Sequence, residues 1–135
     1  MPFAVGDQNH HATLQIATAS DMTQSGLSTL GKRPTRFHPT GSIVVPVVTL
    51  DWLFHHRTMK PIGAIKIDTE GYETQVLQGS TNVISTHRLI IQAEYNEQNA
   101  RQCDNDPKWI QNFVQLHRYR IQSIVDEEAL MLPLL

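Results

Sequence analysis

Cysteine is almost absent from this chain: Cys103 stands alone among 135 residues. One thiol cannot close an internal disulfide or build a cysteine-based zinc site, and its solitude fits a reducing, cytoplasmic setting. Also missing is any excess of positive charge. Eleven Lys and Arg against thirteen Asp and Glu leave a formal net charge of -2, so neither nucleic acid nor an anionic membrane is an expected partner. No stretch approaches the roughly 20 apolar residues of a membrane span. Residues 1–7 lack the basic start and apolar run of a secretory leader. What is present, 40% hydrophobic and 18% charged residues, is the composition of a single domain over residues 1–135 that can bury one core.

Periodicity supplies an outline. Residues 13–17 alternate polar and apolar side chains after the turn-like Gly6-Asp7-Gln8-Asn9, which predicts a short edge strand. Residues 18–41 are rich in Ser, Thr, Gly and Pro and follow neither period, as a long loop does. Residues 43–50 are almost wholly β-branched, but Pro46 lacks a ladder donor, so an edge strand is expected. Residues 51–56 predict one or two helical turns capped by Thr49 or Asp51. Residues 64–68 are a short apolar run ending in Asp68, followed by Gly71 and a helical pattern of Tyr72, Val76, Leu77, Val83 and Ile84. Residues 89–94 predict the next strand. Asp106-Pro107 then opens a helix carrying Ile110, Phe113, Val114 and His117, residues 119–125 form another strand, and residues 129–135 a last strand or docking segment.

Strand, helix, strand, helix, strand is the order that builds a mostly parallel sheet covered by helices. Burial on both faces of such a sheet accounts for the continuous runs at residues 64–67 and 89–91. The earlier segments fit the alternation poorly and read as a small β insertion. In an open α/β sheet the ligand crevice lies beyond the carboxyl ends of the strands. Asp68 and Glu70 follow one strand and Glu94 ends the next, so three carboxylates are expected on one rim. There they can take a proton from a nucleophile, hold a metal or orient a cationic ligand. The bland alternative is that Asp68 or Glu70 only caps the helix starting near Tyr72, favoured by the positive end of its dipole.

Val48-Thr49-Leu50-Asp51-Trp52-Leu53, Ile65-Lys66-Ile67-Asp68-Thr69-Glu70-Gly71-Tyr72-Glu73, Val76-Leu77-Gln78-Gly79 and Ile90-Ile91-Gln92-Ala93-Glu94 follow one another in an order and spacing that resemble the FkbM methyltransferase family. Upstream, Ala4-Val5-Gly6-Asp7 and Ser25-Gly26-Leu27-Ser28-Thr29-Leu30 look like the family's segment after its third core strand. The resemblance covers most of residues 4–95 and implies a Rossmann-like class I methyltransferase fold, N-terminally incomplete. It also implies transfer of a methyl group from S-adenosylmethionine to an oxygen of a sugar or small natural product. The family's opening strand, its Asp-x-Gly-x-x-x-Gly turn and the acidic residue that holds the ribose have no counterpart here. Glycines at that turn let the backbone approach the cofactor, so no cofactor-binding residue is assigned and weak binding is expected.

On this reading Asp68 first and Glu94 second remove or orient the acceptor's hydroxyl proton, and Glu70 holds the rim or caps the helix. No metal is assigned. Two other functions compete: a catalytically silent remnant serving as a binding or assembly module, and a sugar transferase clamping a nucleotide-sugar metal with Asp68-Thr69-Glu70. The Glu-x-x-Val-Leu-x-Gly pattern after Glu73 speaks against the transferase. The absence of the first core strands leaves a bare sheet edge, expected to pair with a second copy or a partner chain. His10-His11 and His55-His56 are adjacent residues that point apart, so neither pair reads as a metal site. His117 reads as a core histidine, Cys103 as a bystander beside Asp104 and Asp106, and Trp52 and Trp109 as packing residues.

Overall fold

A computed structural model describes residues 2–19, 22, 23, 30 and 39–135. Among them the chain runs β1 (Ala4–Val5), β2 (His10–Ala19), β3 (Met22–Thr23), β4 (Pro39–Val48), α1 (Leu50–His56), β5 (Ala64–Ile67), α2 (Glu73–Gln78), α3 (Thr81–His87), β6 (Ile90–Glu94), α4 (Glu97–Gln102), α5 (Trp109–His117), β7 (Tyr119–Val125) and β8 (Glu128–Pro133). Of the segment expected as a long loop, residues 20, 21, 24–29 and 31–38 lie outside the described residues, and the Ser25 to Leu30 motif falls largely among these.

The expected Rossmann-like, mostly parallel sheet with a small β insertion is not what forms. The strands make two four-stranded mixed sheets, in the orders β1-β4-β2-β3 and β5-β6-β8-β7. Each holds one parallel pairing, β1 with β4 and β5 with β6, beside two antiparallel ones. The cause lies in the connections. A parallel neighbour needs a long crossover, which α2 and α3 supply between β5 and β6. Between β7 and β8 there is only a tight turn, with Asp126 at φ 50° and Glu127 at φ 65°, the left-handed pair that closes a two-residue hairpin. Nor is the early part a small insertion, since it has as many strands as the second sheet.

Burial is one-sided as well. Ile67, Ile91, Ala93, Ala129 and Met131 face the helices and pack with Val76, Leu77, Ile84, Ile110 and Phe113 in the core. On the opposite face Ala64 and Lys66 are exposed and Ile90 is 43% exposed. The continuous apolar runs therefore do not mark burial on both faces. Pro46 departs from expectation too, because β4 is an interior strand, paired with β2 and β1. It is tolerated because β1 spans only Val47 and Val48. Pro46 thus keeps one flank without a ladder, where a missing N–H costs little.

Glycine joins the two halves. A Cβ on Gly79 would stand 1.9 Å from the Gly6 carbonyl oxygen, and one on Gly6 would stand 2.7 Å from a Val47 methyl. Only bare backbones can approach so closely. The Gly79 carbonyl also accepts from Asp51 N at 3.0 Å, and Gly79-Ser80 divides what the sequence presents as one helical pattern into α2 and α3. Thr49 caps α1, its hydroxyl accepting from Trp52 N at 3.0 Å. Asp51 caps α3 instead, accepting from Asn82 N and Val83 N at 3.0 and 2.9 Å. Among the described residues no helix is long and apolar enough to cross a membrane.

Candidate functional site

The parallel register of β5 and β6 pairs Ile67 with Ala93. One step further it brings Asp68 beside Glu94, on strands roughly 4.8 Å apart. Beyond β5 the chain turns through Glu70 at φ 56° and Gly71 at φ 101° before α2 begins. A Cβ at Gly71 would lie 2.7 Å from both the Asn99 carbonyl oxygen and Cys103 Sγ, so glycine is needed there for conformation and for space.

The turn is held by a residue that sequence reasoning gave no role. Glu73 is only 4% exposed, and its Oε1 accepts from Thr69 N at 2.8 Å, Thr69 Oγ1 at 2.9 Å and Gly71 N at 3.3 Å. At the start of α2, Tyr72 makes no side-chain cap hydrogen bond. Asn105 Nδ2 donates to the Gly71 carbonyl at 3.1 Å and to Gln75 Oε1 at 3.0 Å, tying the same turn to the segment before α5. The one available signal for Glu73 was its place two residues after Gly71, since its burial shows only in the fold. For Asn99 and Asn105 there was none, since α4 reads as a polar loop.

Glu94 accepts at Oε1 from Asn99 Nδ2 at 3.2 Å, while its Oε2 is buried without a hydrogen-bond partner. Burial pushes its carboxyl up to about 7, helped by the negative charges of Glu73, Glu70 and Asp68 and opposed by the Asn99 bond. Asp68 and Glu70 thus both act electrostatically on Glu94. Asp68 is exposed and borders a cavity of about 410 Å³ whose walls include Val5, Leu14, Leu50, Ile65 and Tyr72. Burial raises the Tyr72 hydroxyl, with Asp7 and Cys103 adding to the shift.

The remaining candidates fall elsewhere. His10 Nδ1 contacts the Gln8 carbonyl at 2.9 Å, and His56 Nδ1 the Trp52 carbonyl at 2.9 Å while stacking on the Trp52 ring. Trp52 is 37% exposed, so it packs chiefly against its own helix, whereas Trp109 is buried. His117 lies against Phe113, and burial, then Arg88, lowers its pKa. Cys103 sits half-buried with Sγ 3.9 Å from the Glu70 carbonyl. Among the described residues no three of His, Cys, Asp and Glu gather as a metal would require.

Asp68, at the end of β5, thus borders an apolar cavity in a domain of two mixed sheets and helices. The chain belongs to the FkbM methyltransferase family, whose methyltransferase FkbM domain matches residues 1–121. Its functional class is therefore methyl transfer. Among curated proteins and solved structures, none matches the chain.

Proposed function

We propose that the chain is an S-adenosylmethionine-dependent O-methyltransferase domain acting in the cytoplasm on a hydroxyl of a sugar or small natural product. The observation that carries this reading, beside the family, is the acidic rim with its orphaned oxygen. Three carboxylates, Asp68, Glu70 and Glu73, act against the charge of a fourth, Glu94, whose Oε2 is unpartnered, and such a rim favours a cationic ligand. The donor, when bound, supplies an electrophilic methyl on a sulfonium, and that positive charge suits the rim. A close-approach glycine cradle is not part of the fit among the described residues: Gly6, Gly71 and Gly79 are packed against neighbours.

The residues divide the work by position. Asp68, exposed at the cavity mouth, takes the hydroxyl proton of the acceptor as general base. Glu94, on the neighbouring strand, supports the rim from behind, because its Oε2 is buried and it is not among the residues that line the cavity. Glu70 holds the rim, and the apolar wall excludes water from the attacking oxygen. Incubation with radiolabelled S-adenosylmethionine and a panel of hydroxylated sugars and small natural products tests this. Labelled product should form and should fall by roughly 10²-fold or more with Asp68→Asn, the range of a lost general base. No transfer to any acceptor by a chain that still captures a protein partner would favour the silent binding module instead.

We also propose a partner at β5, whose outer edge pairs with no strand among the described residues. Unpaired edges invite another strand, and a second copy is the simplest source. Antiparallel pairing of two β5 strands about Ile67 would set Lys66 of each copy against Asp68 of the other, matching opposite charges across the dyad.

A further inference from the structure

We propose that Glu73 is the positioning residue of the rim: its carboxylate fixes the turn that aims Asp68 and sets a charge opposite Glu94, whose buried Oε2 has no partner. The functional part of this rests on reading the rim as the methyl-transfer site. The structural part stands on geometry alone.

Glu70 occupies the left-handed region at φ 56°, which costs a non-glycine residue about 1 kcal/mol or more. Such a turn persists only where its surroundings dictate it. The three donors converging on Glu73 Oε1 do so, because they tie the turn's backbone to a carboxylate held at 4% exposure at the start of α2. The turn in turn sets the direction in which the chain leaves β5, and hence where Asp68 stands at the cavity mouth.

The second half follows from charge. Glu94 faces Glu73 from α2, Glu70 and Asp68 from the turn, the neutral Asn99 from α4, and Glu128, its register partner on β8. The nearby cation, Lys66, is paired with Glu128 at 3.6 Å. An ionised Glu94 would therefore bury an oxygen with no donor among like charges, and of those charges Glu73 opposes it most strongly. A proton on Glu94 removes the conflict. Glu73 thus makes the rim asymmetric without touching substrate.

Glu73→Gln separates the two roles, since its amide oxygen still accepts from Thr69 and Gly71 while the charge is gone. Titration of the ¹³C-carboxyl signals by NMR, in the absence of any methyl donor, reads the result. In the wild type Glu94 should titrate near 7. In Glu73→Gln its midpoint should fall measurably, burial still holding it above the ordinary carboxylate value, with the amide shifts of Thr69 and Gly71 retained. An unmoved midpoint with the turn intact overturns the proposal. So does a wild-type midpoint at the ordinary value, which needs no variant to fold. Because no donor is present, failure of methyl transfer would leave this titration readable: it would sink the assigned reaction and not the pairing.

Discussion

Glu94 makes the stability of this chain depend on pH in a direction opposite to that of most carboxylates. Its folded-state pKa, about 7, lies above the ordinary value of 4.5, with burial the first cause and Glu73 the second. The native chain therefore holds a proton that the unfolded chain releases between these values. Stability is unaffected below the lower one, falls as pH rises through the window, and has lost the full contribution above the upper one. Glu94→Gln removes the titration while keeping shape and hydrogen-bonding capacity. It should be neutral at pH 4 and stabilising by about 1 kcal/mol at pH 8, a figure discounted for partial solvent screening. Denaturant melts at the two pH values check this, and equal differences at both would refute it.

Elements are held by contacts that are local in space but distant in sequence. Gly79 has an ordinary φ of -79°, so Gly79→Ala carries no backbone strain, and its whole cost is a methyl placed 1.9 Å from the Gly6 oxygen. The loss should exceed about 3 kcal/mol or abolish folding, as overpacking against immovable backbone does, with circular dichroism melts as the check. Asp51→Ala removes both side-chain acceptors from the start of α3, where Ser80 offers no side-chain cap bond. A loss of about 1 kcal/mol follows. Asp51→Asn should recover part of it, and a loss confined to α1 would show that the cap is not the cause. The separate Leu50–His56 and Thr81–His87 helices are thus joined by one carboxylate that reads, along the sequence, as a cap for its own helix.

At the scale of the whole molecule, the β5 edge, which is open among the described residues, and the face carrying Ala64, Lys66 and Ile90 are where assembly is expected. Sedimentation velocity should show a dimer that Lys66→Glu dissociates, since the substitution sets two acidic residues against each other across the paired strands. A wild-type monomer at all concentrations would remove the proposal.

The sequence by itself determined the local pieces: β5 and β6 as parallel neighbours, the turn beyond β5, the strand-end positions of Asp68 and Glu94, and the family. These are legible because strand ends, glycine turns and apolar periods are written in contiguous residues. Tertiary structure alone decided the two mixed sheets, since Asp126-Glu127 closes a hairpin without the glycine that announces one. It also decided that Pro46 lies inside a sheet, and that Asp51 caps a helix 31 residues away. Above all it decided the roles within the acidic rim. Glu73 and Glu94 are the same residue type, and only the fold gives the first three converging N–H and O–H donors and leaves the second with a buried, unpartnered oxygen. Desolvation and charge repulsion depend on through-space distances that sequence separation does not record.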